Sequence, residues 1–223
     1  MQPHKVHPWS PRTAPPQGSR AGRILLIGGL SLLGAVGACG GCVALAYVSN
    51  MDIGGDPATA ADRAVVVTIE DVAPAFESFT PDARFERFEH NRTLLGTDEV
   101  DYEYDGVGVE PAVYLSSTSA IDRTAQDARS AYTGGHIGFD AVIAAMGEVE
   151  RRPSDHLFRW GDESRCETLY REGSPVGTVF MGRSDRLTFM LVLVGVYYDD
   201  AEALESILRP KLDALEARAS RVR

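Results

Sequence analysis

The sequence predicts an α+β protein: a single N-terminal transmembrane helix followed by one antiparallel-sheet domain with flanking helices, similar to an α/β/α sandwich. Three observations support this prediction. Residues 24–48 contain no charged side chain. Residues 84–198 contain short apolar or alternating segments separated by turn residues, as antiparallel strands do. After Asp200, leucines recur at the spacing of one helix face.

Residues 24–48 are predicted to be a membrane anchor. A helix of 25 residues exceeds the roughly 30 Å thickness of a bilayer's hydrocarbon core. The whole chain carries a net charge of -10 and residues 1–23 carry +4, so the remainder carries -14. Basic residues that flank a span stay in the cytoplasm. We therefore expect a single-pass protein of the bacterial inner membrane, with its N-terminus inside and its C-terminal domain periplasmic or extracellular.

Cys39 leaves two alternatives to an uncleaved anchor open. Residues 36–39, Val-Gly-Ala-Cys, resemble the bacterial lipobox, in which the cysteine is lipidated and becomes the mature N-terminus. A cleaved secretory signal is the second alternative. The apolar run continues for nine residues beyond Cys39, whereas a lipoprotein usually turns polar directly after its cysteine. We therefore expect an uncleaved span.

The composition divides the rest of the chain into a tail, a linker and a domain. Residues 1–23 are basic and rich in proline, which predicts a disordered cytoplasmic tail. Residues 49–63, rich in Gly, Asp and Ala, are predicted to be a linker. One extracytoplasmic α+β domain is expected at residues 64–219, followed by a tail at residues 220–223. Its only cysteine, Cys166, has no partner for an internal disulfide.

The first half of the domain is predicted to contain a short helix and a hairpin. Thr68 and Asp71 have the spacing of a capping box, which marks a helix start. Residues 84–89 and 98–104 are expected to pair as two strands. In the second strand, apolar and acidic residues alternate strictly, so one face should be apolar and the other acidic. The apolar residues are Val100, Tyr102 and Tyr104, and the acidic ones are Glu99, Asp101, Glu103 and Asp105.

A third strand and two helices, the second of them short, are predicted next. The strand covers residues 111–117, and Ser119 is expected to cap the first helix. Gly134-Gly135 should end that helix, because glycine favours helix ends over helix interiors. Asp140 is expected to cap the second helix at residues 141–146.

The last third is predicted to be a four-stranded meander and a closing helix. The strands are expected at residues 156–160, 165–171, 176–183 and 187–198. Residues 187–194 are apolar without alternation, so the last strand should be central and covered on both faces. Asp199 or Asp200 should cap the helix. We expect Leu204 of this helix and Val192 of the last strand to pack in one unit.

The order of these elements resembles the PsbP-like α/β/α sandwich. The resemblance covers roughly residues 65–219 at the level of topology: three strands, a helical excursion, an antiparallel meander and a C-terminal helix. Its best stretch runs from Gly182-Arg183 to Leu215. Members of that fold mostly act as binding or accessory modules, so the resemblance implies a binding role and carries over no functional residue.

Asp101, Glu103 and Asp105 are candidates for a low-affinity cation site. Followed by Gly106, they imitate the opening of a calcium loop, in which oxygen ligands recur at every second residue. The twelfth position of such a loop would be Ala112 instead of glutamate. We therefore expect a strand with a solvated acidic edge, and the cation site is the alternative.

His136, His156 and Cys166 are candidates for a metal-dependent or catalytic site. They belong to a group of residues with suitable side chains: His136, Asp140, Asp155, His156, Glu163, Cys166 and Glu167. Zinc sites usually take two ligands from one tight local motif, which these spacings do not supply. We expect no catalytic residue, metal or cofactor, and a metal-dependent enzyme that uses the three candidates is the alternative.

The charge distribution excludes nucleic acid as a partner. A domain with a charge of -14 presents no basic face to phosphates and is repelled by anionic lipid headgroups. The sequence therefore predicts a membrane-anchored extracytoplasmic module that binds a protein or an envelope component without catalysis. An envelope lipoprotein and a metal-dependent enzyme remain the alternatives.

Overall fold

The structure is a computed structural model. It describes residues 52–75, 85–93, 96–106, 113–145 and 149–221. The predicted tail, the anchor and Cys39 lie outside these residues. Within them, no helix combines the length and the apolar character that crossing a membrane requires.

The described residues form eight strands and four α-helices. The strands are β1 (Asp52–Pro57), β2 (Phe85–Thr93), β3 (Asp98–Asp105), β4 (Tyr114–Ile121), β5 (Glu150–Pro153), β6 (Glu163–Arg171), β7 (Ser174–Ser184) and β8 (Leu187–Val194). The helices are α1 (Ala60–Arg63), α2 (Ile69–Val72, with a 3₁₀ turn at Ala73–Ala75), α3 (Ala125–Ala145) and α4 (Ala201–Arg221). The prediction of an α+β fold is confirmed.

All eight strands pair antiparallel in one sheet of order β1-β2-β3-β4-β8-β7-β6-β5. Helix α3 connects β4 to β5 at the far edge, and the meander β5 to β8 then returns to pair with β4. Strand β8 therefore lies in the centre of the sheet, where seven of its eight residues are buried. This confirms the prediction of a central strand covered on both faces.

Different helices cover the two faces of the sheet. Helices α2 and α4 pack on one face, which we call the α4 face, and α3 packs on the other, the α3 face. Leu204 is fully buried on the α4 face, whereas Val192 belongs to the core beneath α3. The expectation that these two residues pack together is wrong, because successive residues of a strand point to opposite faces.

The segment predicted as a linker contains regular structure. Strand β1 pairs with β2 at the edge of the sheet, with a shift in register between Asp52 and Gly55. Helix α1 follows, and the backbone N–H of Thr59 donates to the Asp62 carboxylate at 2.7 Å. The prediction of a linker at residues 49–63 relied on glycines and a proline. These residues are rare in central strands, but an irregular edge strand accommodates them.

Helix α3 runs unbroken through Gly134 and Gly135, so the two predicted helices are one, and Asp140 lies inside it instead of capping a second helix. A Cβ on Gly135 would lie 2.9 Å from the Met190 sulfur, so glycine lets the helix approach the sheet closely. Packing against the sheet outweighs a glycine's intrinsic cost in a helix, which is about 1 kcal/mol.

Helix starts are confirmed at two of the predicted positions. The Thr68 backbone N–H donates to Asp71 at 2.8 Å at the start of α2. Asp200 accepts a backbone N–H at 2.8 Å at the start of α4. The prediction of Ser119 as the cap of α3 is wrong, because β4 continues through this residue and Thr124 caps the helix.

The first strand of the meander is β5, and residues 156–160 form turns and irregular structure instead of the predicted strand. Their apolar side chains nevertheless enter the core of the α4 face, where Leu157, Phe158 and Trp160 are buried. The apolar pattern of residues 156–160 therefore predicted buried side chains correctly, but it did not predict whether these residues pair as a strand.

We predict that Leu204→Ala lowers the free energy of unfolding of the full chain by about 2–5 kcal/mol, because it opens a cavity at a fully buried position. Glu205→Ala, at a neighbouring side chain that is 51% exposed, is the matched control and should cost less than about 0.5 kcal/mol. Urea unfolding in detergent, followed by circular dichroism, measures both. An equal loss of free energy of unfolding in Leu204→Ala and Glu205→Ala would contradict the packing of α4 on the sheet.

Candidate functional site

The predicted acidic face lies on β3, whose pairing with β2 confirms the predicted hairpin. Its apolar residues are buried and its four acidic residues are half-buried on the α3 face, in strict alternation. Thr118 donates to Asp101 at 2.6 Å, and Arg87 lies 3.8 Å from Glu103. These carboxylates therefore contact polar side chains of the neighbouring strands, and the prediction of a pleated strand is confirmed.

The structure separates His136, His156 and Cys166. Cys166 lies fully buried in the core of the α4 face, and burial raises the pKa of its thiol to about 12. His136 lies on α3, over the opposite face, and His156 is exposed in a turn. Across the described ranges, no three His, Cys, Asp or Glu side chains are arranged to hold a metal ion.

Three members of the predicted polar group do converge. His136, Asp155 and Glu163 line a cleft of about 660 Å³ between α3 and the segment that connects β5 to β6. Tyr132, Arg159 and Arg165, which sequence analysis did not select, line it as well. The cleft therefore combines aromatic, acidic and basic side chains from three parts of the chain.

Helix α3 forms one wall of the cleft. Tyr132 and His136 lie one turn apart, with their rings edge to face and their centroids 4.5 Å apart. Tyr132 is buried in the core beneath α3. Because Tyr132 is packed against the sheet and Gly135 allows close approach, His136 is held in a defined position at the cleft.

The opposite wall is fixed by the buried side chain of Arg183. Its guanidinium lies 3.2 Å from both Asp162 and Glu163, and only 4% of the side chain is exposed. Gly161 adopts φ of +70°, and a Cβ there would lie 2.1 Å from the Arg183 carbonyl oxygen. The tight approach of the backbone at this point therefore requires glycine.

Burial favours the uncharged form of the His136 imidazole. It lowers the pKa of the imidazole, and the nearby Arg165 lowers it further. The Nδ1 atom is sealed from solvent and has no hydrogen-bond partner among the described residues. A catalytic histidine is normally oriented by a hydrogen bond to its second nitrogen, and His136 lacks that bond at Nδ1.

Asp140 and Glu167 belong to a chain of ion pairs beside His136. Arg151 contacts Asp140 and lies 3.7 Å from Glu167, and Arg165 contacts Glu167 directly. Glu167 is only 2% exposed. The two acids therefore attach α3 to β5 and β6, and their charges are compensated by arginine.

A second polar cluster, which the sequence analysis missed, joins α1, β2, β3 and α4. Arg218 lies 2.5 Å from Asp62 and 3.0 Å from Asp98. The His90 imidazole contacts Asp98 and lies 3.6 Å from Asp62. Asp62 and Arg218 are 156 positions apart in the sequence, so no local spacing reveals the cluster. Its members compensate one another, which makes it a structural clamp.

We predict that Asp62→Asn destabilises the full chain by about 1–3 kcal/mol at pH 7, because it removes charged hydrogen bonds from the clamp. Burial alone would raise the pKa of Asp62, but hydrogen bonds from Thr59 and Arg218 outweigh it and lower that pKa. The contribution of Asp62 to the free energy of unfolding is therefore complete above its pKa in the unfolded chain, about 3.9. This contribution is lost as the pH falls through the lower pKa of the folded state.

Urea unfolding at pH 7, 5 and 3 measures the difference between wild type and Asp62→Asn. The difference in the free energy of unfolding should be the same at pH 7 and pH 5, and it should be smaller at pH 3. Asp213→Asn, at an exposed position of α4, is the control and should have an effect below about 0.5 kcal/mol. A difference that grows towards low pH would contradict the assignment.

Comparisons with protein-family models, with curated proteins and with solved structures found no match for this chain. The resemblance to the PsbP-like sandwich therefore stays a prediction. A fold by itself does not specify a function, whereas the side chains that line the cleft and their contacts bear on it directly.

Proposed function

We propose that this chain is a membrane-anchored, extracytoplasmic binding module without catalytic activity, and that the cleft beside His136 is its binding site. The observation that carries the proposal is the convergence of His136, Asp155 and Glu163 at one cleft. Ligand sites are typically concave, partly apolar and provided with a few fixed polar groups.

The state of the side chains favours binding over catalysis. Burial lowers the pKa of His136, which makes its imidazole a weaker base, and its Nδ1 has no hydrogen-bond partner among the described residues to orient the ring. The Cys166 thiol lies in the core of the opposite face, with its pKa raised by burial to about 12. A metal-dependent enzyme built on His136, His156 and Cys166 has no geometric support, because the three side chains lie in different places.

The anchor part of the proposal is supported by residues 24–48 and by the charge difference across them. A run of 25 apolar and small residues is long enough to span a bilayer, and the basic residues precede it. Lipidation at Cys39 would replace the span by a lipid anchor and leave the domain at the same membrane. An envelope component or a protein of that compartment is the proposed partner.

We predict that the chain keeps its N-terminal segment and places its C-terminus outside the cytoplasm. Alkaline phosphatase fused after Arg223 should be active, because the basic flank stays inside. A fluorescent protein that folds only in the cytoplasm, fused at the same point, is the control and should be dark. Mass spectrometry of the extracted chain should show no lipid at Cys39. Cytoplasmic fluorescence would contradict the orientation, and an acylated Cys39 would establish the lipoprotein alternative.

We predict that a photoreactive amino acid at position 159 forms a specific cross-link to an envelope component in intact cells. Arg159 is exposed and lines the cleft. Position 92, an exposed arginine on β2 far from the cleft, is the matched control and should give no such product. The cross-link should also weaken in His136→Trp, which places a larger side chain at the wall of the cleft. Equal products at positions 159 and 92 would refute the cleft as the binding site.

A further inference from the structure

We infer that the cleft binds a small zwitterion, a molecule that carries a primary ammonium group and a carboxylate or phosphate at short distance. This inference rests on the proposed function and deepens it, because it names the chemical class of the ligand. It follows from which charged side chains of the cleft are already compensated and which are not.

Most charges around the cleft are compensated within the protein. Arg183 lies 3.2 Å from both Asp162 and Glu163, and Glu163 also lies 3.7 Å from Arg129. Arg165 contacts the buried Glu167. A ligand that paired with these groups would have to break ion pairs that the fold already makes. These residues therefore shape the cleft and contribute little net charge to it.

Asp155 and Arg159 are different, because neither forms an ion pair with any residue in the described ranges. One Asp155 carboxylate oxygen accepts the backbone N–H of Cys166 at 2.9 Å. Arg159 uses its Nε to donate to the backbone carbonyl of Asp155 at 3.4 Å. The carboxylate keeps further acceptor positions, and the guanidinium keeps its terminal N–H groups as donors. The cleft thus offers one negative and one positive group to a ligand.

These two groups lie close enough to act on one small molecule. The hydrogen bond from Arg159 to the Asp155 backbone places the guanidinium beside the residue that carries the carboxylate. A ligand with only an ammonium group would be attracted by Asp155 and repelled by Arg159. An anion would be repelled by Asp155 and attracted by Arg159. Asp155 and Arg159 line the same cleft, and a dipolar ligand of the opposite orientation places an opposite charge at each of them.

The remaining lining suits a ligand without net charge. Burial lowers the pKa of His136 and so favours its uncharged form, and Tyr132 contributes an uncharged aromatic side chain to the lining. The domain as a whole repels free anions at long range, because the chain after the anchor carries -14. A zwitterion has no net charge and avoids this repulsion.

Two sources supply this chemistry at a membrane surface: free amino acids, with ammonium and carboxylate, and aminophospholipid headgroups, with ammonium and phosphate. The test uses four soluble probes on the full chain in dodecyl maltoside micelles. L-alanine and sn-glycero-3-phosphoethanolamine carry both charges, whereas ethanolamine and sn-glycero-3-phosphate carry one kind each. Histidine ring signals are followed by NMR, and His136→Gln identifies the signal of His136 among the five histidines.

We expect at least one zwitterion to shift the His136 signal to saturation and to bind at least about tenfold more tightly than either probe with a single kind of charge. Saturation by L-alanine identifies the amino-acid source, and saturation by the phosphoethanolamine probe identifies the headgroup. Arg159→Gln and Asp155→Asn should each weaken binding about tenfold or more. Asn keeps an acceptor for the Cys166 N–H, so Asp155→Asn tests the charge and spares the fold. Arg92→Gln is the control and should leave binding unchanged.

Three results would overturn the inference: equal binding of a probe with one kind of charge, no saturable shift with either zwitterion, or equal effects of Arg159→Gln and Arg92→Gln. Saturation of the His136 signal by ethanolamine or glycerophosphate alone would leave the cleft as a binding site and refute only the ligand class. Failure of the cross-link at position 159, together with no saturable shift by any of the four probes, would instead refute the proposed function itself.

Discussion

The central strand β8 must be shielded from water on both faces, and the rest of the structure depends on this requirement. Its residues are apolar on both faces, so the sheet needs helical cover above and below. Helix α4 supplies one cover through a stripe of leucines, and α3 supplies the other. Helix α3 connects the inner strand β4 to the edge strand β5, and the meander β5 to β8 then returns to the centre of the sheet.

The cleft is a consequence of the same packing. Helix α3 lies close to the sheet where Gly135 faces Met190, and the segment between β5 and β6 turns back towards the helix without pairing as a strand. Buried Arg183 then fixes the acidic side of that segment. A binding surface with defined side-chain positions arises where rigid elements meet, and loops alone rarely provide such positions.

Buried charges in this protein are compensated in groups. Arg218 joins two aspartates and contacts a histidine, and Glu167 lies between two arginines. Such groups cost desolvation energy, so their net stabilisation is modest, whereas removing one member leaves a buried charge without a partner. They attach α1, α3 and α4 to particular strands.

Local patterns in the sequence determined the hairpin at β2 and β3, the apolar strand β8, the caps at Thr68 and Asp200 and the leucine stripe of α4. Each of these depends on residues within a few positions of one another, so periodicity and capping chemistry suffice to predict them. Only the tertiary structure decided that α3 continues through Gly134 and Gly135, because the sheet packed against it offsets the cost of glycine. The tertiary structure also brought His136 to Asp155 and placed Cys166 on the opposite face. Such contacts join distant parts of the chain, and strand register and crossover path, which no local spacing records, determine them.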